Sequence, residues 1–242
     1  MQGGSQADMS REHHRDRIAA VRRQLAQDGP PWTREDADDF TKVTVPEEDC
    51  DAIRDLLIGE GVTRVIEVGL AYGRSALAIG EALVSVSAEE PVHVIIDPFQ
   101  ATAWANVGWN LLTSAGLDTI ARLILQPSSL ALPRLLAEGF TADAAFVDGS
   151  HRYHEVFVDL YFLRKIVRPG GLIIMDDYRW PSVQTAARYY ETNLGCQVVE
   201  GALAGGGTVN PATGHPRMRV LRLPDHPFEP AFDEFKPFWF SQ

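Results

Sequence analysis

The chain has 242 residues, 45% of them hydrophobic, which suits one α/β domain with additions and supplies a large core. Its formal net charge of -11 repels phosphate backbones, so nucleic acid is not an expected substrate. No apolar run reaches the roughly 18–20 residues of a membrane helix, and Cys50 and Cys196 lie too far apart to form a metal-type cluster.

The N-terminal stretch is polar and lacks a signal peptide's apolar segment, so a cytosolic (cytoplasmic) location and no membrane partner are expected. Residues 10–28 favour a helix with a sparse stripe of Ile18, Val21 and Leu25, ended by Gly29-Pro30-Pro31. Residues 1–45 read as a helical appendage or lid. Pro46-Glu47-Glu48-Asp49 then opens a helix, with proline and acids suited to its positive end.

From residue 64 the pattern alternates. Arg64–Val68, Val92–Ile96, Ala121–Leu125, Ala144–Val147 and Leu172–Met175 are short apolar runs, each reading as a buried strand. Helical spacing occupies 74–86, 103–115, 129–138, 153–167 and 182–193. Such alternation predicts a doubly wound, mostly parallel sheet with helices on both faces, a Rossmann-like α/β fold over residues 46–224. Cys196–Leu203 and Arg217–Leu223 have no helix between them, only a glycine-rich stretch. They predict an antiparallel hairpin that completes seven strands at the sheet edge. Residues 225–242 form an aromatic tail (Phe228, Phe232, Phe235, Phe238, Trp239, Phe240). It either packs on a partner subunit, giving a homo-oligomer, or covers the chain's own core.

The segment Glu67-x-Gly69-x-Ala71-x-Gly73 follows a strand and opens a helix. Ligands of open parallel sheets bind at such turns, where glycine lets the backbone approach closely. An acid two residues before the first glycine discourages a pyrophosphate and welcomes an ammonium or sulfonium. Asp97 ends the second strand, at the position where an acid accepts hydrogen bonds from ribose hydroxyls.

Asp148 ends the fourth strand, and Asp176 and Asp177 end the fifth. Three carboxylates brought together require a cation or a proton. A hard divalent ion held there would orient substrate oxygens and acidify a hydroxyl. His151, three residues after Asp148, suits a general base because its pKa lies near neutrality.

At these residues, from about 50 to 223, the chain resembles the class I S-adenosylmethionine-dependent methyltransferases. The nearest resemblance is to metal-dependent small-molecule O-methyltransferases, of the catechol type and of the type that methylates sugars on macrolide and aminocoumarin antibiotics. The resemblance implies that Glu67, Gly69, Ala71 and Gly73 wrap the amino-acid end of S-adenosylmethionine with Ser75 nearby. It implies that Asp97 binds the ribose, that Ser129 contacts the adenine and that Asp148 borders the cofactor. It also implies that Asp148, Asp176 and Asp177 hold Mg2+ or another divalent cation. The catechol type has a lysine base where this chain has His151. The Asp148-Gly-Ser-His151-Arg-Tyr153 segment fits the sugar-modifying branch better, with His151 or Asp148 itself as the base. Tyr178, Arg179 and Trp180 are placed on the acceptor side. Three other readings compete: a metal-independent methyltransferase, a nicotinamide-dependent oxidoreductase and a non-catalytic module. The absence of G-x-G-x-x-G argues against the oxidoreductase.

Overall fold

The protein is described here by a computed structural model covering residues 3–30, 37–86, 90–203, 209, 214 and 216–238. Seven strands form one sheet in the order β3-β2-β1-β4-β5-β7-β6. They are β1 (Arg64–Val68), β2 (Val92–Ile96), β3 (Ala121–Ile124), β4 (Ala142–Val147), β5 (Val167–Met175), β6 (Gln197–Val198) and β7 (Arg219–Arg222). β1 to β5 are parallel, while β7 runs antiparallel to both β5 and β6.

The chain winds outward from β1 to β3, then returns to β4 on the other side of β1. That reversal opens a crevice at the carboxyl ends of β1 and β4. Val68 is level with Ile96 and Val147, and Val147 with Met175. The next residues, Gly69, Asp97, Asp148 and Asp176, therefore arrive at one level along the mouth of the crevice.

The helices are α1 (Gly3–Asp28), α2 (Ala37–Val43), α3 (Glu47–Gly59), α4 (Arg74–Ser85), α5 (Val107–Ser114), α6 (Ser128–Ala137), α7 (Tyr153–Ile166) and α8 (Pro181–Asn193). Alternate strand residues feed opposite layers. Ile66, Ala145 and Ile173 pack under α6, α7 and α8. Val65, Phe146 and Ile174 pack under α3 and α4. Both faces of the central strands β1, β2 and β4 are buried, which is why they read as largely apolar runs, whereas Arg122 of the edge strand β3 is exposed.

Several boundaries differ from the sequence expectation. β5 begins at Val167 and carries Pro169-Gly170-Gly171 inside it, across a register shift between Ala142 and Ala144. The irregular pairing accommodates residues that otherwise read as a breaker. β6 has only two residues, and β7 inserts between it and β5. A second, short helix, α2, follows α1 within the segment 1–45 read as a helical appendage.

α1 does more than sit on the surface. Ile18 and Leu25 are fully buried with Leu77, Leu112 and Leu117. Buried Arg22 reaches Glu47, Asp51 and Glu81 at 2.5–2.7 Å. In the tail, Phe228, Phe232 and Phe235 are exposed, while Phe238 meets Tyr189 edge-on at 5.4 Å. Trp239, Phe240 and most of the glycine-rich stretch 204–216 lie outside the described residues. No helix among the described residues is long and apolar enough to cross a membrane.

Candidate active site

The glycine turn is built for close approach. A Cβ at Gly69, where φ is +96°, would lie 2.2 Å from the Asp148 carbonyl oxygen. Gly73, at φ +78°, meets Gly108 of α5 backbone to backbone. Ala71 takes φ 43°, a left-handed conformation that L residues rarely hold without support. Asp97 provides that support. Its Oδ2 accepts from the Leu70 and Ala71 N–H groups and from Gln100 Nε2, and its Oδ1 accepts from Phe99 N–H. Gln100 also donates to the Ala71 carbonyl at 2.7 Å. Asp97, the acid expected at the ribose, thus holds the turn through Oδ2 while standing on the cavity wall.

Glu67 is fully buried behind the turn rather than facing it. Ser75 donates to its Oε1 at 2.6 Å, and Nε2 of the equally buried His93 lies 2.8 Å from its Oε2. His93 was not legible as a site residue because it sits inside the apolar run of β2. Ser75 borders the crevice as well.

Two cavities meet at the turn. The larger, about 670 Å³, runs from Gly69 and Ala71 past Asp97 and Phe99 to Ser128 and Ser129 on α6. The smaller, about 270 Å³, is bounded by Ser75, Asp177, Arg179, Trp180 and residues 42–45 around the end of α2. Gly69, Ala71, Trp104, Asp148, Gly149 and His151 line both. Such a pair can hold one ligand in each lobe with their reactive ends at the junction.

The acid cluster stands at that junction. His151 Nε2 lies 2.6 Å from Asp177 Oδ2 and 4.0 Å from Asp148 Oδ1. Asp148 and Asp177 raise the His151 pKa to about 10. Burial, Asp176 and Asp177 push Asp148 up, against the opposing pull of His151 and Arg217. Burial also disfavours the charge on Asp177, yet His151, Arg179 and Arg217 hold it below the ordinary carboxylate range. Asp177 sits at φ 53°, a strained conformation of the kind found where a side chain must be aimed. The Ser182 hydroxyl donates to the His151 carbonyl at 2.5 Å, tying the histidine to α8. Trp180 stacks on the imidazole at 6.2 Å, and Arg179 lies over the Trp180 ring. Tyr178, by contrast, is buried outside both cavities.

Asp176 departs from the metal set expected of the three aspartates. Arg217 takes both its oxygens, Nε to Oδ1 and Nη2 to Oδ2, each at 2.7 Å. The ligand atoms that converge within 4.8 Å of one another belong to Asp148, His151 and Asp177. Two carboxylates and an imidazole are a reasonable donor set for a divalent ion. Arg217 lies far along the chain from Asp176, and no local pattern marks it as the partner.

Residues 66–178 match the family model described as Methyltransferase domain. No curated protein matches the chain. Among solved structures, the O-methyltransferase TomG from Streptomyces achromogenes, involved in tomaymycin synthesis and solved with SAM, is similar at a TM-score of 0.61 and 17% identity, over 87% of this chain and 89% of that one. An O-methyltransferase from Bacillus cereus, solved with SAH, is similar at 0.61 and 16%, over 86% and 90%. Residues 66–178 thus resemble a methyltransferase domain, and the chain shares the Rossmann-like fold of these O-methyltransferases.

Proposed function

We propose that the chain methylates a hydroxyl of a small molecule with S-adenosylmethionine, aided by a divalent cation (Mg2+ or a close relative) at Asp148 and Asp177 with His151 as the third ligand. The observation that carries this reading is the junction itself. A turn of the methyl-donor type and a cluster of two carboxylates and an imidazole share the wall between two cavities.

The cofactor supplies an electrophilic methyl on a sulfonium: the C–S bond breaks, the C–O bond forms, the sulfur keeps the electron pair, and the hydroxyl proton leaves. The chain's own residues arrange the rest. Gly69 and Ala71 border the donor lobe closely, and Asp97 keeps their backbone in place. Ser129 borders the nucleoside end of that lobe. Asp148 is the group at the junction able to accept the proton, and His151 joins it only when its imidazole carries neither the cation nor a proton of its own. Trp104 and Trp180 offer flat surfaces to the acceptor, and Arg179 a charge beside them. Positioning and the local field would carry most of the rate. A natural-product sugar or a diol fits a site that gathers oxygen-binding groups at one point.

A metal-independent reading has one observation in its favour. Protonated His151 already places a positive charge between Asp148 and Asp177. Titrating S-adenosylhomocysteine with magnesium and again with EDTA, then screening vicinal diols and glycosides under both conditions, separates the two readings. Binding in both conditions with turnover only in magnesium supports the metal-aided reading. Turnover that survives EDTA supports the histidine alone. No binding in either condition rules out the methyl-donor site.

A further inference from the structure

The wall of the larger cavity includes the start of α6 and one side of α7, with Ser128, Ser129, Glu155 and Asp159. Asp159 belongs to the stripe Val156, Asp159, Leu160, Leu163, whose other members are core hydrophobics. A residue there for packing alone would be apolar. Asp159 is only 2% exposed, and its Oδ1 has no hydrogen-bond partner among the described residues. Burial and the neighbouring Glu155 charge push its carboxyl up to about 7, against a hydrogen bond from Ser128. A buried acceptor left unused is costly, and a donor brought by a ligand would relieve that cost.

The cavity's polarity indicates which donor. The methyl to be transferred must face the junction at Gly69, Asp148 and His151. The nucleoside therefore extends the other way, past Ile96, Pro98 and Phe99, toward Pro127 and α7. Those apolar side chains suit the flat faces of a purine. On the exposed edge of adenine the exocyclic amine donates, whereas the neighbouring ring nitrogen only accepts. We propose that Asp159 is a specificity-determining residue that accepts a hydrogen bond from the cofactor's adenine amine and so selects an adenosyl donor over its 6-oxo counterpart. The proposal rests on the methyl-donor reading above. It adds to that reading an assignment on α7, a helix the sequence motifs leave without a role in cofactor binding.

The test is calorimetric titration of the full chain at pH 8 with S-adenosylhomocysteine and with S-inosylhomocysteine, in which an oxo group replaces the amine. The wild type is expected to favour the adenosyl compound by about tenfold or more: the oxo oxygen would face Oδ1 where the amine donates, and the proton that the neighbouring ring nitrogen carries in the inosyl compound lies one ring position away from that acceptor. Asp159→Leu should lose about tenfold in S-adenosylhomocysteine affinity and bring the ratio of the two compounds close to one. Asp159→Asn, whose amide can donate to an oxo oxygen, should narrow the ratio chiefly by improving the inosyl compound. Thermal melts of both variants establish that each is folded, and the conservative Asn variant carries the test if Leu does not fold. Equal wild-type affinity for the two compounds, or a ratio unchanged in a folded variant, overturns the assignment while leaving the methyl-donor reading intact. If neither compound binds the wild type, both fall together.

Discussion

Arg217, at the approach to β7, grips Asp176, at the end of β5, with two parallel hydrogen bonds of 2.7 Å. The pair is nearly buried, and the Arg217 carbonyl also accepts from the Tyr178 N–H at 2.7 Å. It fixes the strand end from which Asp177 projects. Removing one partner of such a pair strands a charge without solvent. Arg217→Met should destabilise the protein by about 3–5 kcal/mol in urea unfolding, and adding Asp176→Leu should recover much of that loss. If Arg217→Met were neutral, the anchoring role would be excluded.

Gly69 leaves no room for a side chain, because its Cβ would meet the Asp148 backbone at 2.2 Å. The positive φ adds conformational cost. Gly69→Ala is expected to lower stability by about 2–4 kcal/mol and to weaken S-adenosylhomocysteine binding. Denaturant titration and calorimetry read the two effects separately. An alanine variant that binds normally would show that the turn relaxes.

At the acid cluster, Asp177→Asn removes one charged oxygen from the three groups proposed to hold the cation. Calorimetric titration with manganese should show affinity falling on the order of 10–100-fold. S-adenosylhomocysteine affinity should change little, since Asp177 lines only the smaller cavity. Unaltered manganese binding in this variant would rule out Asp177 as a ligand.

Asp159 also makes a pH-dependent contribution. Its folded pKa is raised to about 7 from the ordinary 3.8, so the folded state binds the proton more tightly than the unfolded chain. The associated stability is complete below the unfolded value and is lost as pH rises through about 7. In the ligand-free protein, Asp159→Asn should therefore gain roughly 1–3 kcal/mol at pH 8 and distinctly less at pH 5. Urea midpoints at the two pH values check this. A gain in stability paired with weaker cofactor selection is the trade-off expected of a residue kept for binding. Equal midpoints at both pH values would show that the carboxyl is not held protonated.

Apolar patterning specifies the central strands of the sheet, because a strand buried on both faces must be largely apolar along its length. That rule fixed Arg64–Val68 and Val92–Ile96 to the residue. It also placed Gly69, Asp97, Asp148 and Asp176 each one step past a strand, so their gathering at one mouth follows from parallel register alone. Composition is blind to partners supplied from elsewhere in the chain. Arg217 claims Asp176 across 41 positions, and His93 meets Glu67 behind the turn rather than within it. Asp97 holds the turn through two hydrogen bonds, from the Leu70 and Ala71 N–H groups, that no local spacing reveals. Asp159 stands in an apolar helix stripe, and only the packing of α6 beside α7 turns it toward a cavity. Local periodicity decides which elements form, because it reports burial. Which carboxylate is left with a free oxygen depends on charges and donors brought together by tertiary contacts, which no local pattern encodes.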